Sequence, residues 1–599
     1  MSKYSVQNQT VENLLSWVRS GEIAVPEIQR PFVWTASKVR DLMDSLYQNY
    51  PVGYIITWKN PDVQLKDGTS ASGKKVVIDG QQRITALTAA VIGQEVLDRN
   101  YKSVRIKIAY NPQASEGESA FEVCNSAIER NPLWINDIST ILNGETTLRE
   151  ARLNYMKHNP DADEELVEER INLLQSVKNR PIGIIELNPD LDIDTVTEIF
   201  IRINQKGVVL SNADFVMSKI ASDQDHGGNR LRKMIDYFCH LINDSDFINS
   251  IKQNDANFAE SEDFAKIRWI AQKDNLYTPD YIDVLRCSYT FAFKRGKFSD
   301  LVALLSGRDF EKRKNLEEIA AESYQKLRYG LECFFKQSHY ERFLLLIRSA
   351  GFINRKLFNS QNSLNMAYAV YLHLKEKNTS EPQIQQWVKK WLAMSLLTGR
   401  YSGSSETTIE HDINQINDKG MAAYLAQIEQ SELDDGFWSH RLVNQLDSSS
   451  STNNAYLCYL AAQCHSLEKA FLSDSITVRD LLEERGDRHH IFPKDYLMNN
   501  GYKKSSEYNQ VANYLMMEQQ ANIRLGNLPP HEYLPKIQDD ISKGSKYYTS
   551  LTSDEDLQNH LAAHCIPAKM DLSHENYAEF LLQRRKLMAE KIKTYYFNL

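Results

Sequence analysis

The stretch GDRHHIFPKDYL, Gly486 to Leu497, places His489 and His490 side by side ahead of an Ile-Phe-Pro tripeptide. Adjacent side chains on an extended segment point to opposite faces, so one imidazole can face a metal while the other faces a substrate. Two neighbouring histidines also occur as plain surface or capping residues. What separates these readings is the presence of further parts. One-metal phosphodiester hydrolysis needs a histidine as general base on water and a metal ion bridging the scissile phosphate and leaving oxygen. It also needs a polar group that orients the base.

Downstream, NQVANYLMMEQQANIRLGNLPP supplies Asn513 and Asn522, nine residues apart. In a ββα-metal nuclease of the HNH type, that interval separates the orienting asparagine from a metal ligand on the following helix. The reading assigns His490 as general base, Asn513 as its orienter, and His489 and Asn522 as metal ligands, with Asp487 a further carboxylate for the metal shell. The helix ligand is Asn rather than His, which makes the site an HNN variant. With no cysteine nearby, Mg²⁺ or Mn²⁺ suits the site better than zinc.

A second constellation lies in VVIDGQQRITALTAAV. It reads as a strand, a tight loop at Gly80 and a helix opening near Ile84. That order aims helix N-terminal amides beyond the strand, a ready phosphate site. Gly80 lets the backbone approach closely, Arg83 is a bidentate phosphate clamp, and Gln81 and Gln82 add amide groups. Asp79 suits a Mg²⁺ that holds a phosphate. The competing reading is a polar turn in which Asp79 caps the helix. VPEIQRPFVW adds Gln29, Arg30, Phe32 and Trp34, and FIRINQKGVVLSNADF adds Arg202, Asn204, Lys206 and Gly207. Taken singly, these are a strand edge and a solvated connection.

Together, PEIQRPFVW, IDGQQRITAL and RINQKGVVLSNADF resemble the N-terminal domain of GmrSD-type modification-dependent restriction enzymes, similar to the ParB/sulfiredoxin nucleotide-binding fold. The resemblance implies nucleoside triphosphate binding and hydrolysis (ATP, GTP, UTP or CTP) through Asp79, Gly80, Gln81, Gln82 and Arg83, with Gln29, Arg30, Asn204 and Lys206 around them. HHIFP with its later asparagines resembles the C-terminal nuclease domain of the same enzymes. The implied partner is DNA, modified phage DNA in particular, cut or nicked in anti-phage defence. Two rival readings are a nickase or sensor of another mark such as phosphorothioate, and an NTP-switched DNA-binding module whose nuclease domain is inactive.

The chain must supply elements to hold both groups. Its 599 residues exceed one compact core. The expected fold class is α+β and multidomain. It comprises a ParB/sulfiredoxin-like α/β domain over 1–225, a helical coupling region over 226–410, and a helical domain over 411–599 with an HNH-like ββα core. TASKVRDLMDSLYQNYPVG reads as a helix capped by Thr35, and KKVVIDG and RPIGIIELNP as strands. Val104, Ile106 and Ile108 alternate as one half-buried strand. DTVTEIFIRI reads as a helix, followed by a capping box of Ser211 and Asp214. Gly399 to Thr408 is the clearest break in the helical part. A net charge of −9 neither announces nor excludes nucleic acid. QRRKLMAEKIKTYY, near the C-terminus, is the expected phosphate-contacting segment, or else a solvated helix. Seven scattered cysteines suit reduced thiols and a cytoplasmic protein. No membrane span is expected, and a homodimer is the oligomer considered.

Overall fold

In the computed structural model the described residues are all but 1–2, 25–33, 59–74, 98–102, 116, 190, 192–198, 200–211, 224–225, 273–275, 311–315, 484–487 and 569. The fold is mixed α+β, 62% helical with small sheets. It divides into two compact units. The first comprises 1–272 and 302–321, and the second comprises 273–301 and 322–599.

The first unit is built on a five-stranded sheet in the order β1-β9-β3-β4-β2. Its strands are β1 (Tyr4–Thr10), β2 (Ile23–Ala24), β3 (Tyr54–Trp58), β4 (Lys75–Asp79) and β9 (Pro181–Leu187). β1 runs antiparallel to β9, β9 parallel to β3, β3 antiparallel to β4, and β4 parallel to β2. Ile55, Val77, Ile182 and Ile184 share one hydrophobic core with α1 (Val11–Arg19) and α2 (Ala36–Tyr47). Ile56, Trp58 and Leu187 form a second, smaller cluster. The helix α2 forms as its sequence dictates. The Thr35 hydroxyl accepts from the Lys38 amide, and Val39, Leu42, Met43, Leu46 and Tyr47 are its buried positions.

The strand expected through Val104, Ile106 and Ile108 is broken. It becomes β6 (Ser103–Val104), paired with β5 (Val96–Leu97), and β7 (Ile108–Tyr110), paired with β8 (Phe121–Val123). Arg105 is the physical reason. Its guanidinium donates to the Ala89 carbonyl at 3.0 Å, and to Asp137 and Ser139 at 2.7 Å each, which pulls the chain out of the ladder. The expected helix DTVTEIFIRI and the Ser211–Asp214 capping box lie wholly or partly outside the described residues.

The second unit is helical around a two-stranded ladder of β10 (Arg488–His490) and β11 (Tyr514–Met516). The break at Gly399 to Thr408 is pinned. Arg400 makes a bidentate contact with the fully buried Asp412, at 2.7 and 2.6 Å, and the Tyr401 and Tyr424 hydroxyls complete that carboxylate's shell. The last helix, Tyr577–Asn598, carries the basic run but presents only part of it to solvent, Lys586 being exposed. Arg584 is fully buried, Arg585 pairs with Asp447, and Lys591 pairs with Glu468. All seven cysteines are free thiols, and among the described residues no helix is long and apolar enough to cross a membrane.

Asp540 closes the loop after the Pro530–Lys543 helix. Its buried carboxylate accepts from the Ser545 hydroxyl and from the amides of Tyr547 (3.0 Å), Tyr548 (2.8 Å) and Thr549 (3.2 Å). Burial alone would raise its pKa, but these four donors outweigh that and hold it below the usual carboxylate value. A depressed folded pKa stabilises above the unfolded value near 3.9, and the contribution is lost as pH falls through the folded pKa. Asp540→Asn is therefore expected to cost about 2 kcal/mol at neutral pH. In urea melts, its difference from the parent should close as the pH is lowered below 4.

Candidate functional site

The Asp79–Arg83 group forms at the end of β4. Gly80 takes φ +96° at the N-cap of α3 (Gln81–Leu87), and no side chain caps the helix, which rules out the reading of Asp79 as its N-cap residue. The helix opens at Gln81 rather than near Ile84, so Gln81, Gln82 and Arg83 all lie in its first turn. Gly80 also allows close packing, because a Cβ there would lie 2.5 Å from Ile55 Cδ1 and 3.2 Å from its Cα. The Arg83 guanidinium donates from Nη1 to the Tyr54 carbonyl at 3.0 Å and lies 3.8 Å from Asp79. It rests against Gly53, where a Cβ would come within 2.9 Å of Nη2. Among the described residues its Nε and Nη2 donors have no hydrogen-bond acceptor. The ion pair is about a quarter exposed, so its own contribution to stability is small. Gln29, Arg30, Asn204 and Lys206 lie outside the described residues.

In the second unit the chain runs β10, β11 and then the helix Gln519–Leu525, which carries Asn522. His490 stands opposite Tyr514 and His489 opposite Leu515, so the two imidazoles take opposite faces of the ladder. The apolar residues after them anchor this strand. Ile491, Phe492 and Pro493 are buried, and Phe492 packs between Tyr577 and Phe580 with ring centroids at 5.1 and 4.8 Å.

Asn513 is fully buried, and its amide serves the backbone rather than the histidine. Its Nδ2 donates to the carbonyls of Phe492 and Tyr508 at 3.1 Å each, while its Oδ1 accepts from the Phe492 amide at 2.9 Å. The His490 ring is instead hydrogen-bonded by Asn509, whose Oδ1 lies 2.9 Å from His490 Nε2. An amide oxygen only accepts, so Nε2 carries the proton and Nδ1 keeps the lone pair. The Asn509 amide nitrogen is held in turn by Ser505 Oγ at 3.0 Å. The His490 ring meets Tyr514 edge-on at 5.0 Å. Sequence reading missed Asn509, although it sits four residues before Asn513.

Burial lowers the His490 pKa. The Asn509 hydrogen bond opposes that shift, and the Lys494 charge reinforces it. The ring is thus neutral near pH 7, the state a base needs. His489 is buried at 7% exposure, Asn522 is half-buried, and Asp487 lies outside the described residues. Among the described residues no three His, Cys, Asp or Glu side chains gather as a metal cluster.

Residues 11–221 match the family model for the GmrSD restriction endonuclease N-terminal domain. The match encloses β4, Gly80 and α3, and it supports a GmrSD-like restriction endonuclease family, with nuclease activity and DNA as the general expectation. Similarity also runs beyond the GmrSD-like domain. "Uncharacterized protein MJ0686" of Methanocaldococcus jannaschii is 23% identical over 635 residues, covering 97% of this chain and 98% of its own.

Histidine NMR should place the His490 midpoint below the ordinary value near 6.5. Removing the supporting bond in Asn509→Ala should move it lower still. A midpoint at or above 6.5, or an upward move in the variant, contradicts the assigned environment.

Proposed function

We propose that the chain is an NTP-dependent DNA endonuclease of the GmrSD type, with an HNH-like site at His490. The observation that carries the reading is the neutral, half-buried imidazole at the end of β10, with Nε2 committed to Asn509 and Nδ1 left with its lone pair. Nδ1 takes the proton of the attacking water, and Asn509 stabilises the imidazolium through the Nε2 hydrogen bond as charge develops. Asn513 and the buried Phe492 fix the strand so that the ring does not turn away. His489 and Asn522, with Asp487, would hold a Mg²⁺ or Mn²⁺. When bound, that ion supplies Lewis-acid stabilisation of the phosphate and leaving oxygen. The hard oxygen donors of Asn522 and Asp487 suit such ions, and His489 adds one nitrogen.

The β4–α3 turn is read as the NTP site. Supporting this are the Nε and Nη2 donors of Arg83, which have no acceptor among the described residues, the helix N-terminus at Gln81, and the absence of a Walker A sequence elsewhere. Hydrolysis there would gate cutting, because a nuclease that cut any duplex would destroy its host. Modified DNA is the proposed target. The ParB/sulfiredoxin-like and HNH-like fold assignments, the action against phage and the cytoplasmic setting belong to this same reading.

Two substitutions test it. His490→Ala should lower plasmid cleavage by about 10²–10⁴-fold while NTP hydrolysis continues. EDTA should stop cutting, and Mg²⁺ or Mn²⁺ should restore it. Cleavage at the parental rate in this variant would remove His490 from the chemistry. Arg83→Ala should weaken binding of a non-hydrolysable NTP by roughly tenfold or more, as expected for a lost charge-assisted contact, and should alter cleavage across an NTP titration. Normal nucleotide binding by titration calorimetry, at an unchanged melting temperature, would place the nucleotide elsewhere.

A further inference from the structure

Two exposed cations flank His490, and neither belongs to the basic run that sequence singled out. The Arg488 guanidinium lies over the Tyr514 ring, 5.8 Å from its centroid. The Lys494 ammonium lies over Tyr508 at 5.4 Å. Tyr514 is the same ring that His490 meets edge-on, and Tyr508 directly precedes Asn509, the partner of His490. Arg488 sits two residues before His490 on one face of β10, a separation of about 6.8 Å along a strand. Lys494 opens the short helix Lys494–Asn499 just beyond the buried Ile491–Pro493 anchor.

Among the described residues, neither cation has a carboxylate within ion-pair distance. Four other cations of this unit are each paired with an acid, whereas among the described residues Arg524, over the Tyr547 ring, is not. Arg479 pairs with Glu483, Lys543 with Asp539, Arg585 with Asp447 and Lys591 with Glu468. Asp495, the acid next to Lys494, instead accepts from the Asn527 amide at 3.1 Å. A cation lying on a tyrosine face is positioned without being neutralised. Its field therefore remains available to an anion arriving at His490.

We propose that Arg488 and Lys494 form the phosphate cradle of this site, gripping the backbone of duplex DNA on either side of the bond presented to His490. The proposal rests on the reading of His490 as the base of a DNA nuclease. It moves the expected backbone contacts from the Tyr577–Asn598 helix to the rim of β10. Such contacts set register and affinity without reading sequence.

The test is binding rather than cleavage, in full-length protein carrying His490→Ala, in EDTA, by anisotropy of a short fluorescent duplex across a salt series. Arg488→Gln and Lys494→Gln should each weaken binding roughly tenfold at low salt and flatten the slope of log affinity against log salt by about 0.9. Arg488→Lys should keep the slope. Lys586→Gln, an exposed cation on the C-terminal helix, should change neither quantity. All three side chains are at the surface, and matched melting temperatures will show that fold is retained. Unchanged affinity and slope in the Arg488→Gln/Lys494→Gln double variant would overturn the cradle, as would no measurable binding by the parent. Equal loss in Lys586→Gln would return the contacts to the terminal helix, and tighter binding of a matched RNA duplex would overturn the choice of DNA. Failure of the nuclease reading is seen separately, as parental cleavage by His490→Ala, which this binding assay does not measure.

Discussion

A buried guanidinium with no carboxylate partner among the described residues holds the second unit's site together. Arg584 is fully buried, and its Nε and Nη2 donate to the His564 carbonyl at 3.2 and 3.1 Å. Its Nη1 donates to the carbonyls of Ala512 and Tyr514 at 2.8 and 2.7 Å, on either side of Asn513. Taking a charge out of water costs several kcal/mol even after relaxation, and only a full set of well-placed acceptors offsets it. The backbone around Asn513 is therefore tied to the terminal helix from one side. Asn513's own amide then reaches across to Phe492 on the other, and His490 stands two residues before Phe492. The ring that carries the proposed chemistry thus inherits its position from a residue that never touches it.

The tripeptide after the two histidines has its explanation in the same chain of contacts. Ile491, Phe492 and Pro493 are the strand's anchor in the core, and a polar sequence there would leave the imidazoles on a loose segment. The first unit uses a different device. Gly53 and Gly80 both take positive φ, and both let other groups approach where a Cβ would collide. One removes the obstacle to a guanidinium, and the other removes the obstacle to a neighbouring strand. Rigid packing supplies position in one case, and missing side-chain volume supplies it in the other.

Much of this was legible in residue order. Periodicity and a single hydroxyl located α2, and β-branched runs located β4 and β9, while His490 falls on a strand, Asn513 on the turn just before the second strand, and Asn522 on the helix that follows. What escaped was decided by where a polar side chain finds its partner. Arg105 breaks an apparently regular strand because its acceptors lie at Ala89, Asp137 and Ser139. Asn513 looks like a partner of the histidine but spends its amide on main chain, while Asn509 has no distinguishing pattern. Arg584 and Arg585 read as a solvated basic face, yet both are committed inward. Gln29, Arg30, Asn204, Lys206 and Asp487 lie outside the described residues, so their assignment to either site rests on motif and resemblance.

The Arg584 clasp also has a consequence in time. Ala512 and Tyr514 precede it by 72 and 70 residues, and a ribosome adds residues at about 5–20 per second. The strand pair is therefore made several seconds before the guanidinium that fastens it. During that interval the histidine strand lacks its final tether, so His489 and His490 are synthesised before the residue that holds their strand in place.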